Sequence, residues 1–317
     1  MAFSQDKVVV EVGINEGQLR SANPHVPYSP EEVAADARRC YDAGAAVIHY
    51  HGREAGTGAN RSNDPSVNIE TQRAITEATP LIAYPTYASH NPILDGYYEI
   101  GGPAPERYRH FVEGVRGNVK FEIGPVDLGA ALDVNAYKNP TTGQWTLSNG
   151  HQINTGEDHR WLTEFCLAHA LKMSFAVFDT VHLQNLRNIV DMGWVKQSPL
   201  LVKLFYLGDT AGPKSLIYTL DRMHDLFPDM TTRWMPVVYG ADQFPMCTLA
   251  LGLGGHVRVG IGDYHYVEHH NAGNGQPANA DLVDRIVAVA RAMGREPATP
   301  DEAREIQGIN AAKEGKQ

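Results

Sequence analysis

The sequence predicts a single-domain α/β protein, a closed (β/α)8 TIM barrel spanning residues 1–317. Three observations predict it. Short strand-like and longer helix-like segments alternate from one end of the chain to the other. Eight strand candidates can be counted. Most of these are apolar nearly throughout, as parallel strands covered on both faces must be. A chain of 317 residues holds a barrel of about 250 residues together with insertions. A doubly wound sheet is the runner-up and needs fewer strands.

The strands are expected at residues 8–12, 47–50, 81–84, 119–123, 175–178, 201–205, 234–238 and 257–261. The first helix is announced by SPEEVAADARRCYDAG: Ser29 is the N-cap, Pro30 takes the first helical position, Glu32 completes a capping box and Gly44 ends the helix. Further helices are expected at 66–78, 104–116, 158–171, 181–193, 213–227 and 242–252. ADLVDRIVAVARAMG then places Leu282, Ile286, Val289 and Met293 on one face. Thr299 and Glu302 repeat the capping box at the start of a short last helix. The long irregular stretch, 124–157, reads as an insertion after strand four. Within it KNPTTGQWTLSNG is a hairpin with its turn at 140–143. An insertion there sits at the mouth of a barrel, where active sites lie.

Composition narrows the function. With 27 Lys and Arg against 37 Asp and Glu, the formal charge of -10 argues against a nucleic-acid or anionic-membrane partner. No apolar run is long enough for a signal peptide or a membrane span, so a cytoplasmic protein is expected. Cys40, Cys166 and Cys247 form no CxxC pair and are expected in the core. There is no G-x-S-x-G elbow, GxxxxGK[ST] loop or GxGxxG turn.

The chemistry is concentrated at strand ends. In AAVIHYHGRE, His49 and His51 are two apart and so share a strand face. At the end of a barrel strand both imidazoles could bind one divalent metal such as Zn2+; hydrogen-bonded interior histidines are the alternative. In GGHVRVGIGDYHY, Arg258 could bind a carboxylate or stabilise an enolate, and Asp263 could be a general base; a salt bridge closing the barrel is the alternative. VGINEGQLR puts Asn15, Glu16 and Arg20 just after strand one, where Glu16 could be acid, base, metal ligand or a solvated loop carboxylate. His265, His269 and His270 on one loop read as exposed.

Three blocks together, NPHVPYSPEEVAADARRCYDAGAAVIHYHGRE, GGHVRVG and LVDRIVAVARAMGREPATPDEAREI, make the chain resemble the β-keto acid cleavage enzyme family. The resemblance runs over nearly the whole chain. It implies a (β/α)8 barrel, a bound zinc or other divalent metal, and acetyl-CoA as co-substrate. The implied reaction is a retro-Claisen cleavage giving acetoacetate and a new acyl-CoA. It implies His49 and His51 as metal ligands, Arg258, Asp263 and Glu16 as catalytic groups, and Thr86 and Glu122 as substrate contacts. It also suggests a homo-oligomer, with a tetramer as the expected state. The chain departs from the family where a third ligand, a Glu, precedes the catalytic Asp: here that position is Gly262. Glu16, Glu122, Asp263, His265 or waters are the candidates to complete the site. The third strand's Ser-Thr-Gly-Gly becomes Pro85-Thr86-Tyr87-Ala88. Ser174 and Ala176 stand at acidic positions of the fifth strand, so a neutral or anionic substrate tail is expected. Two other readings remain: a CoA-independent, metal-dependent aldolase-type lyase, and a barrel that binds a keto acid without turnover.

Overall fold

The computed structural model describes residues 7–61, 63–88, 97–100, 103–138, 145–264 and 276–313. Eight parallel strands form two four-stranded arcs. One runs in the order β11 (Val257–Val259), β1 (Val10–Gly13), β2 (Val47–Tyr50), β3 (Ile82–Pro85). The other runs β10 (Thr232–Tyr239), β9 (Leu200–Leu207), β8 (Lys172–Val177), β5 (Ile123–Asp127). The last strand pairs with the first, Val10 opposite Val257.

The two seams between the arcs are held by separate bonds. At β10/β11, His256 N donates to Trp234 O at 2.8 Å and Gly240 N to Asp263 O at 3.1 Å. At β3/β5, the buried Gln72 amide donates to Ala83 O and Lys120 O, while Tyr87 Oη donates to Pro125 O and accepts from Asp127 N.

Helices α1 (Pro30–Ala43), α2 (Pro65–Ala78), α3 (Ala104–Arg107), α4 (Arg109–Arg116), α5 (Gly156–Ala168), α6 (Thr180–Asp191), α7 (Pro213–Leu226), α8 (Phe244–Gly252) and α9 (Asn279–Ala292) follow the strands in the order of a (β/α)8 fold. Both capping boxes form: Ser29 with Glu32 on α1, and Thr299 with Glu302 on α10 (Pro300–Ile306). The chain ends in α11 (Ile309–Lys313). Ala298, Ala303 and Ile309 pack on Val9, Val47, Ile82 and Ile123. Ala298 N also bonds Val8 O, ahead of β1. The C-terminal helices therefore plug the N-terminal floor of the barrel, and the opposite end is the mouth. All three cysteines are buried and free.

The boundaries differ from expectation in instructive places. The fourth barrel strand begins at Ile123 rather than at 119, and runs on through Gly124 and Pro125. Pro is tolerated there because β5 is the edge strand of its arc. The expected helix 104–116 is broken at Tyr108 into α3 and α4. Beyond β5, strands β6 (Ala130–Lys138) and β7 (Trp145–Ile153) pair antiparallel, and β4 (Tyr97–Ile100) pairs parallel to β7. The turn expected at 140–143 lies outside the described residues.

Candidate active site

The site begins where β1 ends. After Gly13 the chain turns through Ile14 and Asn15 into Glu16, whose backbone has φ of 31°. Few non-glycine residues adopt that region, and those that do are held there by their surroundings. Asn15 supplies the hold. Its amide donates to His51 O at 3.0 Å and Pro27 O at 3.2 Å, and its oxygen accepts from His51 N at 2.9 Å. The β1 turn is thereby tied to the end of β2, and the Glu16 carboxylate is carried to the histidines.

There it meets both rings. Glu16 Oε2 lies 2.5 Å from His51 Nε2, and Oε1 lies 3.2 Å from His49 Nε2. The rings stand edge to face, their centroids 5.3 Å apart. One ligand atom from each of the three residues falls within 4.8 Å of the others. Burial, reinforced by Arg258, His51 and Lys203 against the pull of Glu16, holds the His49 imidazole well below its ordinary pKa. Burial opposes ionisation of Glu16, but His51, His49 and Arg258 outweigh it and keep this carboxyl well below its usual range. A neutral imidazole beside an ionised carboxylate is the protonation state a divalent metal requires. His49 Nδ1 is buried without a hydrogen-bond partner. The residues present therefore fit a metal ion.

Asp263 stands on the other side of Arg258. The fully buried guanidinium forks onto it, Nε to Oδ2 at 2.9 Å and Nη2 to Oδ1 at 2.6 Å. Nη2 also donates to Glu16 Oε1, and Nη1 lies 3.2 Å from Glu11 Oε1. Burial raises the Asp263 pKa to about 6, opposed by Arg258 and helped by the carboxylates of Glu16 and Glu11. A carboxyl tuned toward neutrality is suited to taking a proton near pH 7. Gly13 leaves the room for this pair: a Cβ there would sit 2.4 Å from Asp263 Oδ1.

Beneath the site lies a charged layer that the sequence reading missed. Glu11 on β1 accepts from Lys203 Nζ on β9 and from the Tyr84 hydroxyl on β3, both at 2.7 Å. Burial pulls the Lys203 ammonium down to about 8, against Glu11. The signal was present: a lone Glu in VVVEVG and a lone Lys in LLVKLFYL each interrupt a buried strand and need an interior partner.

The remaining expected residues divide. Thr86 is half-buried just past β3, at the mouth, its N–H on Tyr50 O. Glu122 is a correction. It precedes β5, at the barrel floor, where Arg304 Nε binds both its oxygens at 2.8 and 2.9 Å. A residue before a parallel strand lies at the end opposite the mouth, so Glu122 cannot reach substrate or complete the metal cluster. Ser174, in the first half of β8, lies low in the barrel, beside Ile123, Met235 and Gln307. Arg20 is spent on Glu32 and on the Tyr28 ring. His265, His269 and His270 lie outside the described residues. Gly262 is close-packed: a Cβ there would meet Gly13 O at 2.6 Å and Asn15 N at 2.7 Å. The space a ligand at 262 would need is filled by the turn that delivers Glu16.

A parallel barrel with a metal-competent cluster and a tuned carboxyl at its C-terminal mouth is the architecture of a barrel enzyme. Residues 7–309 match the model of the beta-keto acid cleavage enzyme family, and the chain belongs to that family. It is 28% identical over 315 residues to a 3-keto-5-aminohexanoate cleavage enzyme of Acetoanaerobium sticklandii, covering 96% of this chain and 99% of that one. It is 27% identical over 301 residues to a 3,5-dioxohexanoate:acetyl-CoA acetone transferase of Paraburkholderia graminis, covering 92% of each. The solved binary complex of ObcA with oxaloacetate shares the fold at a TM-score of 0.69 and 15% identity, over 90% of this chain and 67% of that one.

Proposed function

We propose that this protein transfers the acyl group of a β-keto acid to coenzyme A, using acetyl-CoA and releasing acetoacetate. The observation that carries the reading is the convergence of Glu16, His49 and His51 beside an Arg258-held Asp263 at the barrel mouth. The names of the relatives, which include acetyl-CoA-dependent transferases acting on keto acids, support it. In the balanced reaction two bonds break: the one between the α-carbon and the keto carbon, and the thioester bond between the acetyl carbonyl and the CoA sulfur. The α-carbon fragment joins the acetyl carbonyl to give acetoacetate, and the keto carbon joins the CoA sulfur.

Glu16, His49 and His51 would hold Zn2+ or another divalent ion, in place of a ligand at Gly262. Such an ion, when bound, supplies Lewis-acid polarisation of a keto oxygen. Asp263 is the base that takes the α-proton, and it returns the proton when the acetoacetate leaves. Arg258 fixes the direction of that carboxylate and offsets negative charge that develops beside it. Glu11 braces Arg258 from below, with Lys203 and Tyr84 holding Glu11. Thr86, on the rim, is placed to contact the substrate. The plugged floor leaves the mouth as the route of entry.

Elemental analysis of the purified protein, followed by a panel of β-keto acids with and without acetyl-CoA, tests the reading. Bound divalent metal and cleavage that requires acetyl-CoA are expected. Cleavage that proceeds equally without acetyl-CoA would make the protein a lyase. Metal-free protein that binds keto acids without turnover would make it a binding barrel.

A further inference from the structure

We propose that the acyl tail of the β-keto acid lies against an aromatic wall of Phe178, Phe205 and Tyr239, so that the preferred substrates carry a bulky, uncharged, apolar or aromatic acyl group. The inference rests on the β-keto acid reading above and specifies its substrate class.

Strand register places the three rings. Ala176 pairs with Lys203, and Lys203 with Met235. The Lys203 side chain points into the barrel, since its ammonium reaches Glu11 and Tyr84. Side chains two residues apart on a strand share a face. Phe205, two beyond Lys203, therefore faces inward one layer nearer the mouth, and Phe178, just past the end of β8, is placed there by its stacking on Phe205. Val237 pairs with Phe205, and Tyr239, two further on, again faces the mouth. The Phe178 and Phe205 rings stack at 4.4 Å with an interplanar angle of 24°, and Phe205 meets Tyr239 at 5.5 Å. All three are half-buried, leaving ring surface uncovered.

The wall adjoins the reacting groups. The backbone next to Tyr239 bonds Asp263 directly, Gly240 N to Asp263 O. Burial together with the carboxylates of Glu16, Asp263 and Asp127, against Arg258, pushes the Tyr239 phenol well above its ordinary pKa. The mouth is thus divided. The arc β11–β1–β2 presents Asp263, Glu16, His49 and His51, and the arc β10–β9–β8 presents rings.

Among the described residues, the ionic groups near this wall are already engaged. Ala176, below Phe178, carries no charge. Asp179 caps α6, accepting from Val181 N, and is exposed. Asp127, at the end of β5, pairs with Ala176 and so shares its layer, and it already has partners. Lys203 is committed to Glu11. A buried carboxylate would meet the like charge of Asp127, and a buried ammonium would share a carboxylate that already has partners, whereas apolar carbon gains contact with three ring surfaces.

The test is calorimetric binding to the metal-loaded protein without acetyl-CoA, so that binding is read apart from turnover. The probes are 3-oxo-3-phenylpropanoate, 3-oxoadipate and 5-amino-3-oxohexanoate. The aryl acid should bind about tenfold more tightly than either charged acid, in line with the energy of aromatic contacts. Phe205→Leu and Phe178→Leu, which keep apolar bulk, should each erode that preference at an unchanged unfolding temperature. Tighter binding of a charged acid, or a preference untouched in both variants, would overturn the proposal. Turnover with acetyl-CoA is then measured separately. The aryl preference in binding without turnover of any acid would remove the transfer reaction and leave the wall as a binding determinant.

Discussion

Replacing Gly262 by Ala adds one methyl group at the tightest point of the site. A Cβ there would lie 2.6 Å from Gly13 O and 2.7 Å from Asn15 N. Both are backbone atoms, in the turn that Asn15 ties to His51 and Pro27, so neither can rotate away as a flexible side chain would. Overpacking of this kind costs about 1–3 kcal/mol. With an unfolding entropy near 0.7 kcal/mol/K for 317 residues, that lowers Tm by about 1–4 °C. The larger consequence falls on Glu16, which sits one residue beyond the displaced Asn15. Its carboxylate should lose register with His49 and His51, and bound metal should fall. Gly262→Glu, which restores the family's carboxylate at this position, should fail to recover the metal for the same steric reason. Differential scanning calorimetry and metal analysis on both variants make the test. Wild-type Tm and metal content in Gly262→Ala would refute the idea that the β1 turn has displaced a ligand from position 262. So would full metal content in Gly262→Glu.

Other perturbations reach the remaining groups. Asp263→Asn keeps size but cannot accept a proton, so kcat should fall by roughly 10²–10⁴-fold while metal content holds; wild-type turnover would defeat the assignment. Since Asp263 acts as the carboxylate and its pKa is raised to about 6, kcat/KM should fall as pH drops through that region. The positive charge of a bound metal moves the limb lower, so a pH profile should show it at or below about 6, and a limb well above 7 would contradict it. Lys203→Met alone leaves Glu11 with Arg258 and Tyr84. Glu11→Gln alone strands Lys203 as an uncompensated buried cation and should cost about 3–5 kcal/mol. The double variant should recover part of that loss in denaturant unfolding, and strict additivity would argue against the pairing.

The barrel was legible because parallel strands covered on both faces are written as apolar runs between capped helices. Ser29–Glu32 and Thr299–Glu302 announced their helices through local hydrogen bonds, which need no tertiary information. β5 was set too early, with the irregular stretch begun at 124; Gly124 and Pro125 fit a strand there because it is the edge of its arc. Tyr97–Ile100 went unread, although YYEI is a β-prone run. His49 and His51 were visible because strand periodicity alone puts them on one face. The position of Glu16 was not visible, since it depends on a turn with positive φ and on the Asn15 bonds to β2. Glu122 was misplaced with β5: a strand at 119–123 carries Glu122 toward the mouth, whereas a strand that begins at Ile123 leaves it at the floor. Phe205 and Tyr239 come from two strands and Phe178 from just past a third, and only the register of those strands brings them together.

The most direct test of the central claim follows carbon through the reaction. The metal-loaded protein is incubated with an unlabelled β-keto acid and acetyl-CoA carrying carbon-13 in its acetyl group, and the products are separated by mass. The account predicts label in acetoacetate and an unlabelled acyl-CoA bearing the keto acid's tail, both abolished in Asp263→Asn. Cleavage that leaves acetoacetate unlabelled, or that runs without acetyl-CoA, would contradict it.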